Sequence, residues 1–183
     1  MKEKADIAGG LLSIGFTVTF ALYLMYNNVP QSIACWTMWA LLDIFLFVTC
    51  FVAGNKRPWF PLGCAIGASL VTCILLSKNG WDWKWNTVET ISAIGVLVAL
   101  ISRWKLGPKS AIVAIVVAMV ISSVPALCDA WCQNGQAGWW YWGGISFGCL
   151  LSSYGASAWT IEDRLFPVTG FVFSFGMTLV LIL

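Results

Sequence analysis

Asn27-Asn28-Val29-Pro30-Gln31-Ser32 runs into Trp36-Thr37-Met38-Trp39 and on to Asp43. A proline stands at the polar end of one apolar run. Two tryptophans then lie one helical turn apart at the start of the next, and a carboxylate follows Trp39 by four residues inside it. A degenerate copy recurs in the second half of the chain: Ser122-Ser123-Val124-Pro125-Ala126, then Trp139-Trp140-Tyr141-Trp142 and Ser146. The duplication and the intramembrane carboxylate are the two features from which fold and function are read.

The surroundings fix the class of protein. With 60% hydrophobic and 10% charged residues and a mean hydropathy of +0.84, the chain is too apolar for a soluble domain, where about a quarter of residues are charged. The apolar runs are about 17 to 25 residues long and apolar on all sides, the length and pattern of membrane-spanning helices rather than of barrel strands. An all-α membrane protein is expected. The mixed charges of Met1 to Asp6, followed by a run of spanning length, argue against a cleaved signal segment and predict that the first helix remains.

The spacing predicts seven transmembrane helices: Ile7 to Tyr26, Ser32 to Ala53, Trp59 to Leu76, Thr87 to Trp104, Ser110 to Pro125, Ala137 to Ala158 and Leu165 to Leu183. Polar turns such as Gly54-Asn55-Lys56-Arg57-Pro58, Lys78-Asn79-Gly80, Gly107-Pro108 and Gln133-Asn134-Gly135 separate them. The connections are short, and no basic run suits nucleic acid. Cations are retained on the cytoplasmic face. Of the ten Lys and Arg residues, an inside N-terminus puts Lys2, Lys4, Lys56, Arg57, Arg103, Lys105, Lys109 and Arg164 on that face, leaving Lys78 and Lys84 on the other. The expected localisation is a plasma or bacterial inner membrane, N-terminus inside and C-terminus outside. Trp81, Trp83 and Trp85 then fall in an outer loop, as an interfacial aromatic belt.

Aligning Trp36 with Trp139 and Trp39 with Trp142 sets Pro30 against Pro125 upstream and Pro61 against Pro167 downstream. The chain divides into a first three-helix repeat (1–78), a linker helix (79–105) and a second three-helix repeat (106–183), a 3-1-3 layout. An odd-numbered unit followed by one extra span gives both copies the same orientation, related by an axis along the membrane normal, and such parallel repeats enclose a central path. The prolines near the first helix of each unit make natural bends.

Val29-Pro30-Gln31 with Ser32 and Trp39, Tyr154-Gly155 after the second tryptophan cluster, and the 3-1-3 layout together resemble the PQ-loop superfamily, which contains the SWEET sugar transporters and the PnuC-type vitamin-precursor transporters. The resemblance covers nearly the whole chain through short motifs. It implies a hinge role in alternating access for Pro30 and Gln31, and for Pro125 as the proline half alone, because Ala126 stands where glutamine would. The inside N-terminus also departs from what the resemblance to SWEET proteins implies.

Chemistry within the spans centres on Asp43. A carboxylate halfway along a span costs about 2.5 to 3.5 kcal/mol even on insertion scales, so it is expected to face the interior. Trp36, Trp39 and Asp43 share one helical face. They suit either a small polar ligand held between aromatic walls and a carboxylate, or an Asp43 bonded to Ser or Thr on a neighbouring helix as interhelical glue. Trp139, Trp142 and Ser146 are the matching positions of the second repeat. Asn86 and Glu89 open the fourth span, where Glu89 suits either a ligand or the positive end of the helix dipole.

The chain has no histidine, which excludes a His-assisted nucleophile and leaves thiolates and carboxylates as the available metal ligands. Seven cysteines are an odd number; Cys128 and Cys132 are the pair near a loop, and a bridge within one helical turn is geometrically poor. Gly9-Gly10, Gly63 with Gly67, and Gly143-Gly144 read as sites of close helix packing. The expectation is a transporter or facilitator for a small polar metabolite, such as a sugar, nucleoside or vitamin precursor. No cofactor, metal or catalytic residue is expected, and the partners are the substrate and the lipid bilayer. With no ATP-binding element, movement is downhill or ion-coupled, Asp43 being the candidate for proton coupling. The alternative is a membrane receptor or scaffold without transport activity.

Overall fold

The computed structural model describes residues 2–55, 58–80, 87–132 and 138–183. The expected all-helical class holds throughout these residues. The helices are α1 (Lys2–Tyr26), α2 (Ile33–Val52), α3 (Trp59–Asn79), α4 (Thr87–Ser122), α5 (Val124–Cys132), α6 (Trp139–Gly155) and α7 (Ile161–Ile182). Among the described residues, five segments are long and apolar enough to cross a membrane: α1, α2, α3, Gly107–Cys128 and α7. Among the described residues, the expected span Thr87 to Trp104 contains a shorter apolar stretch, Glu89–Val98. At 17 residues, α6 is about 26 Å long, somewhat less than the ~30 Å hydrocarbon layer.

Two boundaries differ from the sequence-based expectation. Gly107-Pro108 was expected to be a turn between two spans, yet α4 passes through it with a single non-helical residue, Gly107 at φ 78° and ψ 171°. Only glycine takes that backbone without strain, and Pro108, lacking an N–H, can open the following turn. Second, the helix expected to end at Pro125 breaks one step earlier, between Ser122 and Val124, and resumes with Pro125 in the first turn of α5.

The packing partners define how the helices are arranged. α1 lies against α3 and α6, α2 against α3 and α4, and α7 against α6 and α4. Lipid tails are as apolar as leucine, so helices associate through close dispersion contact rather than through expulsion of water. Glycine makes that contact possible here. A Cβ on Gly9 would stand 2.7 Å from the Gly148 carbonyl oxygen, and one on Gly63 would stand 2.6 Å from that of Gly10. Gly10, Gly67 and Gly144 are equally crowded, against Trp59, Thr17 and Phe16. The expected packing role of these glycines is therefore seen at α1–α3 and α1–α6, whereas Gly143 meets only ordinary contact.

Hydroxyls inside the spans satisfy themselves on the backbone. Thr17 donates to the Ser13 carbonyl at 2.7 Å, Thr72 to Ala68 at 2.8 Å and Thr178 to Ser174 at 2.8 Å. The outward surface is the reverse of a soluble protein's: Leu11, Leu22, Phe51, Ile66, Phe147 and Val172 are all exposed. So extensive an apolar face calls for lipid around it.

The bundle ends are polar. At one end, the Lys78 ammonium donates to the carbonyls of Leu24 at 2.6 Å and Asn27 at 3.1 Å, placing a cation on the negative end of α1. At the other, Lys109 pairs with Glu162 at 2.8 Å, and Ser152 donates to Asp6 at 2.8 Å.

Candidate functional site

Ser32 caps α2, accepting a bond from the Cys35 backbone N–H at 3.1 Å, and so fixes where the helix begins. From that start, Trp36, Trp39 and Asp43 fall on the buried face and line one cavity of about 100 Å³. Five other helices also contribute: Ser13 and Thr17 of α1, Cys64 of α3, Met119 of α4, Tyr141 and Trp142 of α6, and Phe173 and Ser174 of α7. The cavity is central to the bundle.

Its walls are aromatic. Trp39 meets Trp142 edge to face with ring centroids 5.8 Å apart and an 82° interplanar angle. Trp36 lies 5.1 Å from Trp39, and Phe173 closes the group at 5.5 Å from Trp142. Beyond Trp36, on the side of the α1–α2 link, Phe20 stacks on Tyr141 at 4.4 Å and lies 5.9 Å from Trp36. Such edge-to-face and offset contacts hold rings rigidly, each adding about 0.5–1.5 kcal/mol beyond the area buried.

Asp43 is only 4% exposed, and its Oδ1 has no hydrogen-bond partner among the described residues. Of the two sequence-based roles left open for it, interhelical glue would need a Ser or Thr partner at that oxygen. Asp43 lines the cavity, and its unpartnered Oδ1 is buried within that wall. Among the described residues Asp43 is also the single charged side chain in the lining.

Opposite the aromatic end, Phe60 and Phe166 pack at 5.4 Å and 45°. Both line the central cavity, and Phe166 also lines a second cavity of about 420 Å³ that includes Lys2, Asp6, Asn55, Ser152, Glu162 and Asp163. The phenylalanine pair thus stands between an Asp43 chamber and a larger polar vestibule. Each of the two precedes a proline, Pro61 or Pro167, so Phe60 and Phe166 occupy matching positions in the two halves of the sequence.

The predicted site residues divide. Trp36, Trp39, Asp43 and Trp142 come together in the cavity. Trp139 does not: it is 52% exposed at the start of α6, two residues before Tyr141 and hence about 200° round the helix from it. Ser146 is buried but turned toward α7, bonding the Ser174 hydroxyl at 2.9 Å and donating to the Trp142 carbonyl at 3.0 Å. Ser174, rather than Ser146, reaches the cavity.

Glu89 lies away from the cavity, accepting from the Ser32 hydroxyl at 2.7 Å in the first turn of α4, which favours its helix-terminal role. Asn86 lies outside the described residues, as do Trp81, Trp83 and Trp85. Pro30 and Gln31 form the non-helical link between α1 and α2, where Gln31 accepts from the Trp36 indole at 3.1 Å. That bond ties the link to the cavity wall.

Several lining residues were missed. Ser13 and Thr17 lie four residues apart on α1, a polar pair on one face of an apolar span that spacing alone could have flagged. The repeated Phe-Pro dipeptide was equally visible. Ser174 and Phe173 carried no such signal. Among the described residues no group of three His, Cys, Asp or Glu side chains is placed to hold a metal ion. No protein-family model, no curated protein and no solved structure matches this chain.

Proposed function

We propose that this protein is a small membrane transporter or facilitator that carries a small polar metabolite through the Asp43 cavity by alternating access. The observation that carries the reading is the buried, aromatic-walled cavity with an unpartnered carboxylate oxygen, set between a closed aromatic end and a phenylalanine pair backed by a wide vestibule.

The 3-1-3 repeat belongs to the same proposal, and the packing supports it. Let α1, α2 and α3 be exchanged for the part of α4 after Gly107, α6 and α7. The contacts α1–α3, α2–α3 and α1–α6 then become those of α7 with α4, α6 with α7 and α2 with α4, which are the partners seen. Repeat-related residues also meet each other across the cavity, Trp39 on Trp142 and Phe60 on Phe166. The linker is the part of α4 before Gly107. It begins beside Ser32 at one end, through Glu89, and reaches the other end where Lys109 holds Glu162.

In this reading the Phe60–Phe166 pair is the barrier on the vestibule side and Trp36 with Phe20 and Tyr141 the barrier on the other. Pro30-Gln31 and the break before Pro125 are the places where each unit bends, as the resemblance to the PQ-loop superfamily implies. The cation count puts the vestibule on the cytoplasmic side, with the N-terminus inside. The test is solute uptake into proteoliposomes. Saturable uptake that collapses in Asp43→Asn and in Trp39→Ala, while both variants remain folded, is expected; wild-type uptake in both would remove the cavity from the mechanism.

A further inference from the structure

The Asp43 chamber has an unbalanced composition. Rings surround a carboxylate that no described Lys or Arg side chain approaches within the lining. Two of the lining hydroxyls are engaged elsewhere: Thr17 donates to the Ser13 carbonyl at 2.7 Å and Ser174 to the Gly170 carbonyl at 2.6 Å. Oδ1 is left buried without a partner among the described residues, on a side chain that lines the chamber. A carboxylate in so apolar a place is costly unless something of opposite charge, or a strong donor, joins it. The faces and edges of Trp36, Trp39 and Trp142 surround the same space, and indole is the ring that best attracts a cation.

We infer that the ligand of this site is a small monovalent organic cation, an ammonium or methylated ammonium head group seated between the tryptophans with its charge toward Asp43. The inference rests on the transport reading for its physiological meaning, but binding itself does not require transport. Size agrees with a compact head group. A cavity of about 100 Å³ is small, so the smallest ammonium groups fit it best, methylammonium ahead of tetramethylammonium and choline. A hydrated divalent metal ion is disfavoured because one carboxylate and a ring of indoles offer too few oxygen ligands.

The test compares charge at constant shape and size. The purified full chain in detergent is heated with methylammonium, tetramethylammonium or choline chloride, with 3,3-dimethyl-1-butanol, the uncharged carbon isostere of choline, and with sodium chloride as the salt control. A bound ligand raises the unfolding midpoint by mass action. At least one of the cations is expected to do so at a concentration about tenfold or more below any effect of the isostere, the preference that cation–π contact in a dry site gives. Asp43→Asn, which keeps shape and removes charge, is expected to abolish the preference. Trp39→Phe is expected to weaken it and keep its sign.

Equal effects of choline and its isostere, or no stabilisation by any of the three cations, would overturn the cation assignment. So would an Asp43-dependent shift caused by glycerol or glucose alone, although that result would keep the transport reading. Proteoliposome uptake separates the two: cation-specific stabilisation without uptake of any of these solutes supports the site and sinks transport.

Discussion

Asp43 and Ser32 show how differently two polar side chains on one helix are used. Ser32 is fully engaged, accepting from the Cys35 N–H and donating to Glu89, so it fixes the start of α2 and holds α4 against it. Ser32→Ala removes the cap and leaves a buried carboxylate oxygen of Glu89 short of a donor. A loss of about 1–2 kcal/mol is expected, seen as a lower unfolding midpoint with the ligand preference of the cavity retained. A Ser32→Ala protein as stable as the wild type would remove this contact from the fold. Asp43, by contrast, has an oxygen unpartnered, so Asp43→Asn should cost little stability and act on binding. Trp39 and Asp43 were visible in the sequence because a charge inside an apolar span must face inward and a four-residue step keeps both on one face. Ser146 looked equivalent to Asp43 by alignment, but its hydroxyl bonds the Trp142 carbonyl of its own helix and the Ser174 hydroxyl of α7, a choice made by a neighbouring helix that linear spacing does not contain.

Between helices, contact distance governs stability. Gly63 stands where a Cβ would lie 2.6 Å from the Gly10 carbonyl oxygen, whereas Gly15, on the same α1, has nothing within 4 Å of its notional Cβ. Gly63→Val should destabilise by about 1–3 kcal/mol by forcing α1 and α3 apart, and Gly15→Val should be close to neutral. Equal effects of the two in a thermal unfolding series would contradict the packing described. The Phe60–Phe166 pair makes a second prediction between elements. Cys64 lines the central chamber, where its sulfur lies 3.4 Å from the Ser13 hydroxyl. Phe166→Ala removes the ring shared by the two cavities. It should raise several-fold the rate at which a water-soluble maleimide, added on the vestibule side, modifies Cys64 as followed by peptide mass spectrometry. An unchanged rate would mean that the pair is no barrier. The glycines and the paired prolines were readable from the chain because small residues at helical spacing have few other uses in lipid. The break at Gly107 was also readable as the separation of two spans, although a Gly-Pro pair fits both a turn and a kink, and its form here is a single non-helical residue.

For the molecule as a whole, the helical class followed from apolar run length alone, since every backbone group in lipid must be satisfied within the chain. The number of crossings was less secure. α6 is short, and the first part of α4 is held by Glu89 on Ser32 at one end and, just past Gly107, by Lys109 on Glu162 at the other. The proposed pair of three-helix units is supported by the exchange of packing partners between the halves, with Trp39 meeting Trp142 and Phe60 meeting Phe166. Two such units around one chamber can rock about it and expose it to either side in turn. Cys64, beside Asp43 in that chamber, reports on this. The measurement is its modification in sealed vesicles by a membrane-impermeant maleimide supplied from one side or the other, with and without the stabilising ligand. Modification from each side, slowed from both when ligand is bound, is the predicted result. Access from one side alone under every condition would contradict alternating access and leave a one-sided binding pocket.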